Sequence, residues 1–128
     1  MSQVDDLVHN IAIRCPTFTQ YWAQERSAYS DETGHITLCG MFFVLSDYLS
    51  SHFATLTTEQ HESLWEWVEW QASSSNEELS TAAVTCFLEG IAETDVEQRC
   101  RQFMPSRLKQ WLDDLMHRGR HKKRWFEN

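Results

Sequence analysis

The chain contains few residues that break helices. Its 128 residues include only two prolines and four glycines. All-β domains need frequent turns, and turns draw heavily on these two amino acids. The scarcity therefore disfavours an all-β fold and favours long helices. Seven Phe, six Trp and three Tyr, within a hydrophobic share of 41%, are sufficient for one packed core.

Long hydrophobic runs are also missing. The longest apolar-rich run, from Ile36 to Leu45, is shorter than the roughly 18–20 residues that a membrane-spanning helix needs. The first residues, Met1 to Asp6, lack the basic start, apolar middle and small-residue cleavage site of a signal peptide. We therefore expect a cytoplasmic protein without a membrane partner.

The sequence has no recognisable motif for metal binding or catalysis. Its four cysteines are far apart, form no CxxC pair and lie among apolar neighbours, so we expect reduced thiols that serve as small core side chains. They are Cys15, Cys39, Cys86 and Cys100. His117 and His121 have a helical ligand spacing, but the basic residues around them oppose a metal ion. Because a phosphate loop and a nucleophile elbow are missing too, we expect no cofactor, no metal and no enzymatic activity.

Apolar residues recur at helical spacing along most of the chain. The helical runs cover residues 4–15, 17–26, 35–54, 57–71, 75–90, 94–103 and 105–116, and residues 27–34 are expected to form a loop. Thr57, Ser75 and Thr94 each precede Gln or Glu by three residues, which is the pattern of a capping box. Gly40 is predicted to allow a close helix contact, and Gly119 is predicted to end the last helix.

These features predict an all-α fold. We expect a single-domain bundle of about six to seven helices, with stacked helical hairpins as an alternative arrangement. The helical domain is expected to cover residues 1–117, and residues 118–128 to form a basic C-terminal tail.

Candidate binding residues concentrate in the helix predicted over residues 57–71. Its carboxylates recur at +4 and +3 positions on one face and are Glu62, Glu66 and Glu69. Its core side is predicted to be Leu64, Trp65 and Val68, and His61 is predicted to lie on the surface. Trp67 and Trp70 are expected near the edge or outside, where tryptophan is enriched in binding hot spots. The alternatives are that these rings cover a neighbouring helix of the same chain and that the carboxylates form only a solvated side.

Charge is unevenly distributed. Residues 1–98 hold two basic and sixteen acidic residues, a net charge of −14, whereas residues 99–128 hold nine basic and three acidic residues, a net charge of +6. An acidic body repels nucleic acid and attracts basic proteins. We therefore add the loop acids Asp31 and Glu32 to the candidate contacts. The basic tail has three interpretations: contact with nucleic acid or anionic lipid, a solubilising end, or a segment that folds back on the acidic body.

Three short segments resemble a family of small bacterial α-helical proteins. The run from Thr81 to Ile91 resembles the family's A-x-x-x-F-L-E signature, and the segment from Met104 to Leu112 resembles its G-P-x-S-x-x-x-W ending, with Met104 in place of glycine. The opening Cys15-Pro16-Thr17-Phe18, followed by Trp22, resembles its C-P-x-F…W start. Members of this family are similar to immunity proteins encoded beside polymorphic toxins, including those of contact-dependent growth inhibition.

The resemblance implies a protein that neutralises a cognate toxin domain, and it implies no catalytic residues. We therefore expect an immunity protein that binds a basic toxin one-to-one. The acidity of the chain favours a nuclease, and a ribonuclease in particular, as that toxin. The alternative is a helical regulatory or nucleic-acid-associated protein that acts through its basic tail, although we do not expect nucleic acid as the main partner.

Overall fold

The computed structural model describes residues 2–92 and 94–127, with side chains as far as residue 117. The chain is 77% helical, and its only β-type contact within the described residues is an isolated bridge between Ser30 and Ile36. The first half contains α1 (Gln3–Arg14), α2 (Phe18–Glu25), a 3-10 turn (Arg26–Tyr29), α3 (Leu38–His52), a second 3-10 turn (Phe53–Thr55) and α4 (Thr58–Ala72). The all-α prediction is therefore confirmed.

The second half begins with a helix that changes its pitch. It starts as α5 (Glu77–Thr81), continues as a π-helical segment (Ala82–Phe87) and ends as α6 (Leu88–Ile91). Two further helices follow, α7 (Glu97–Arg101) and α8 (Ser106–Glu127). Helix α8 continues through Gly119, so the predicted stop at that residue is wrong. The side chains of the predicted basic tail, residues 118–128, lie outside the described part of the structure.

Helix α3 lies at the centre of the core. Its most extensive contacts are with the π-helical segment, and α1, α2 and α6 also pack against it. The burial follows from composition, since α3 is apolar on almost every side and therefore has to be surrounded. Its fully buried side chains include Met41, Phe42, Val44, Leu45, Tyr48 and Leu49.

Two glycines permit close approach to α3. A Cβ atom on Gly40 would lie 3.0 Å from Ile36 Cγ1 and 3.3 Å from the Cβ of Tyr29, so the close contact is with the bridge residue and the first 3-10 turn and not with a neighbouring α-helix as predicted. Gly90 of α6 is tighter, because a Cβ there would lie 2.9 Å from the Cβ of Ser46 in α3. Glycine at position 90 thus sets the distance between α3 and α6.

The helix starts agree only partly with the predicted capping boxes. Thr57 does form one: its hydroxyl accepts from Gln60 N, and the Gln60 side chain accepts from Thr57 N. The prediction for Ser75 is wrong by one residue, since Asn76 caps α5 by accepting from Leu79 N at 3.1 Å. The prediction for Thr94 is also wrong, because its hydroxyl donates to the Ile91 carbonyl at 2.6 Å and α7 has no side-chain cap.

The four cysteines are not all reduced thiols. Cys39 of α3 and Cys86 of the π-helical segment form a disulfide, with their Cα atoms 5.3 Å apart and 47 positions apart in sequence. The prediction of reduced core thiols is therefore wrong for this pair. It holds for Cys15 and Cys100, which are buried and free, and burial raises their thiol pKa values to about 11 and about 12.

His61 is a second correction, because it lies in the core and not on the surface. The residue is only 2% exposed, and its ring forms a cluster with the rings of Phe53 and Phe103, with centroid distances of 4.2 Å and 4.5 Å. The Nε2 atom lies 3.0 Å from the Phe53 carbonyl oxygen, so it carries the proton that this acceptor requires. The Nδ1 atom is buried without a partner, and burial lowers the pKa of the imidazole.

Candidate functional site

The carboxylates of α4 form the outer side of that helix. Glu62 and Glu66 are exposed and Glu69 is half-buried, as their +4 and +3 spacing predicts for one helix face. The opposite side is buried as expected, since Leu64, Trp65 and Val68 have no solvent exposure. Helix α4 therefore joins the core through one face and presents three acids on the other.

Trp67 and Trp70 differ sharply in exposure. Trp70 is 77% exposed and belongs to the outer surface, as predicted. Trp67 is only 5% exposed, because its ring stacks on Phe42 with the centroids 6.2 Å apart and is covered by the Arg14 guanidinium at 6.0 Å. The expectation of an outward Trp67 is thus wrong, and covering of a neighbouring helix is the correct interpretation for this ring.

A groove between α1 and α4 contains three of the predicted site residues. It encloses about 530 Å³ and is lined by Leu7, Asn10 and Arg14 of α1 and by Ser63, Glu66, Trp67, Trp70 and Gln71 of α4. Trp67 contributes to its lining, Trp70 stands largely in solvent and Glu66 supplies a carboxylate. The groove therefore combines an aromatic surface with one anionic and one cationic side chain.

One polar side chain of the groove has unused hydrogen-bonding capacity. The side-chain amide of Gln71 makes no hydrogen bond within the described part of the chain. Arg14 differs, because it donates from Nη1 to the Asn10 carbonyl at 2.9 Å and its Nε atom is buried where a bound molecule cannot reach it. The Gln71 amide can therefore accept from and donate to a bound molecule.

The loop acids Asp31 and Glu32 do not line the groove. Asp31 organises its own loop, because its carboxylate accepts from Thr33 Oγ1 at 2.7 Å, Thr33 N at 2.9 Å and His35 N at 3.0 Å. The bond from the Thr33 hydroxyl is the main cause that lowers the pKa of Asp31. Glu32 is exposed on the same loop. The structure thus brings together the α4 residues and leaves the two loop acids apart from the groove.

Four polar groove residues were missed by the sequence analysis, namely Asn10, Arg14, Ser63 and Gln71. Asn10 and Arg14 lie one helical turn apart on α1, and this spacing could have indicated a shared face. Nothing in the sequence pairs α1 with α4, since that contact joins elements about 50 residues apart. Gln71 follows Trp70 directly, but only the packing of α1 reveals that its amide faces a groove.

The described residues contain no group of three His, Cys, Asp or Glu side chains placed to hold a metal ion. They also contain no helix with both the length and the apolar character needed to cross a lipid bilayer. The chemistry that the groove itself offers is stacking, hydrogen bonding and charge pairing, which are the interactions of a binding surface.

The comparison with protein families gives a match. A family model described as a domain of unknown function, DUF7674, matches residues 8–119, and this span begins within α1 and runs through α7 into the first part of α8. No curated protein and no solved structure matches the chain. The matched residues include all of the groove lining except Leu7 and most of the sequence, so the chain belongs to the DUF7674 family.

Proposed function

We propose that the chain is an immunity protein that binds a cognate bacterial toxin one-to-one and blocks its active site or substrate path. The observation that carries this proposal is the exposure of Trp70, 77% in solvent, beside the exposed carboxylate of Glu66. A large aromatic ring that stays in water has a free-energy cost that burial under a partner removes. Tryptophan is also among the residues most enriched in binding hot spots.

The charge of the chain supports a basic partner. The net charge of −14 over residues 1–98 attracts cationic surfaces over several ångströms and raises the association rate. Nucleases have basic substrate grooves, so an acidic inhibitor can occupy the place of the phosphate backbone. We therefore propose a nuclease, with a ribonuclease first, as the toxin, and the cytosol as the place of neutralisation. Asp31 and Glu32 stay predicted contacts outside the groove.

Isothermal titration calorimetry with the product of the adjacent reading frame tests the proposal. We expect one-to-one binding, and we expect Trp70→Ala to weaken it by about tenfold or more, which is the loss typical of a hot-spot residue. The absence of detectable binding at micromolar concentrations would remove the immunity proposal.

Charge reversal tests whether the outer side of α4 is the surface that binds the toxin. The triple change of Glu62, Glu66 and Glu69 to Lys should slow association by about tenfold or more at low salt, because it reverses the charge of the outer side of α4. The matched control changes three exposed acids on other helices to Lys, with the same change in net charge: Glu25, Glu89 and Asp114. Equal effects of the two triple variants would show that only the net charge matters and that the α4 face is the wrong site.

A further inference from the structure

The Gln71 amide points to a ligand that has both a donor and an acceptor. The Gln71 side chain lines the groove and makes no hydrogen bond within the described part of the chain. Its amide nitrogen and oxygen are not shut off from solvent, so a molecule in the groove can reach them. A side-chain amide offers an N–H and a C=O side by side, and both can bond to such a molecule.

A peptide main chain matches this set of groups. Each extended residue of a peptide presents one N–H and one C=O, so Gln71 can bond to both. The groove volume of about 530 Å³ lies within the range of roughly 300–1,000 Å³ that is usual for ligand sites. A short extended segment of a protein is therefore a suitable occupant.

The rim of the groove selects the side chain of that segment. Trp70 presents an open ring face to solvent, and Glu66 supplies an exposed carboxylate on the same helix. An arginine combines a planar cation that stacks on tryptophan with a fork of donors that fits a carboxylate. The Arg14 guanidinium does not occupy this position, because it lies over Trp67 and is bonded to the Asn10 carbonyl.

We propose that the α1–α4 groove binds an extended, arginine-bearing segment of the partner protein. Gln71 holds the main chain of the segment, while its arginine stacks on Trp70 and pairs with Glu66. The inference rests on the proposed function, in that it assigns a recognition mode to the same face.

The test uses the full chain and a defined probe. The peptide acetyl-Gly-Gly-Arg-Gly-Gly-amide is titrated into isotopically labelled protein, and the indole signal of Trp70 and the side-chain amide signals of Gln71 are followed by NMR. A second peptide carries citrulline, which keeps the shape of arginine and removes its charge. We expect the arginine peptide to shift both signals and to bind at least about fivefold more tightly than the citrulline peptide.

Three variants and one control locate the site. Trp70→Ala, Glu66→Gln and Gln71→Met should each weaken peptide binding by at least about fivefold, which corresponds to the loss of one stacking or hydrogen-bonding contact. Glu59→Gln removes an exposed carboxylate from the first turn of α4, outside the groove, and should leave binding unchanged. Trp70 and Glu66 are exposed, so their variants should fold even if Gln71→Met is destabilised.

Three results would overturn the inference. Shifts that spread over the acidic surface and weaken equally in Glu59→Gln would indicate unspecific charge attraction. Preference for a single-stranded RNA pentamer over the peptide at the same signals would assign the groove to nucleic acid. Toxin binding by the wild-type chain, with no response to the arginine peptide, would remove the inference and leave the immunity proposal intact. A response to the arginine peptide without toxin binding would instead leave the groove inference intact and remove the immunity proposal.

Discussion

At the residue scale, prediction succeeded where a side chain's position depends only on its own helix. Leu64, Trp65 and Val68 are buried because the helical period places them on one side of α4. It failed for Trp67 and His61, whose surroundings come from other elements. Arg14 of α1 covers the Trp67 ring. The His61 ring packs against Phe53, which precedes α4, and Phe103, which follows α7. Periodicity gives the direction of a side chain but not what packs against it.

The buried His61 predicts a pH-dependent stability. Its folded-state pKa lies below the ordinary value of 6.5, first because burial disfavours the charged ring. The unfolded chain therefore binds this proton more readily, and the free energy of unfolding should fall as pH drops below 6.5. The hydrogen bond to the Phe53 carbonyl acts in the opposite direction and raises the pKa of His61, but its effect is smaller than that of burial.

Denaturant unfolding at several pH values from neutral to mildly acidic checks this expectation. His61→Phe removes the titrating group and keeps a ring packed against Phe53 and Phe103, so its stability should fall less on acidification than that of the wild type. His9→Gln is the control, because His9 is exposed on α1, and it should keep the wild-type pH dependence. If wild type and His61→Phe lose stability in parallel, His61 does not titrate as its burial implies.

At the scale of elements, helix existence was predictable and helix starts were less so. The Thr57 box was predicted correctly because both of its partners lie within one turn of the chain. At Ser75 the adjacent Asn76 is an equally good cap, and at Thr94 the hydroxyl bonds back to the preceding helix. Pairings across the chain, such as Cys39 with Cys86, have no local signal at all.

The disulfide joins the central helix to the π-helical segment and should stabilise their packing. A crosslink between residues 47 positions apart restricts the unfolded chain considerably. We expect reduction of the Cys39–Cys86 bond to lower the free energy of unfolding by about 2–4 kcal/mol. Chemical denaturation with and without a dithiol reductant measures this difference.

The double variant Cys39→Ala/Cys86→Ala is the control for that measurement. The reductant should leave its midpoint unchanged, since Cys15 and Cys100 are already free thiols in the core. A wild-type midpoint that does not respond to the reductant would contradict a stabilising crosslink. Thiol labelling directly after cell lysis shows whether Cys39 and Cys86 are oxidised in the cell. This tests the cytosolic location that the sequence predicts, because disulfides are rare in the cytosol.

At the scale of the whole molecule, fold class and charge were visible in the sequence, whereas the groove was not. Helical periodicity and the scarcity of Gly and Pro are properties of short segments, and they predict an all-α bundle. The α1–α4 groove depends on which helices meet, and this is decided by the packing of the entire core around α3. The exposed position of Trp70 is evident from spacing. The binding site between the helices, however, can be identified only from the structure.

Deletion of residues 118–128 tests whether the helical domain or the basic tail binds the partner. It removes five basic residues and one acidic residue, so the formal net charge goes from −8 to −12. If the α4 face binds a basic toxin, the truncated protein should associate at least as fast as the full chain, and salt should slow it more strongly, because the tail's repulsion of that partner is gone. Stopped-flow mixing at low and at physiological ionic strength measures both effects. The contrary outcome is a truncated chain that binds the toxin about tenfold or more weakly and no longer binds a single-stranded RNA probe. These two results together would assign the function to the basic tail.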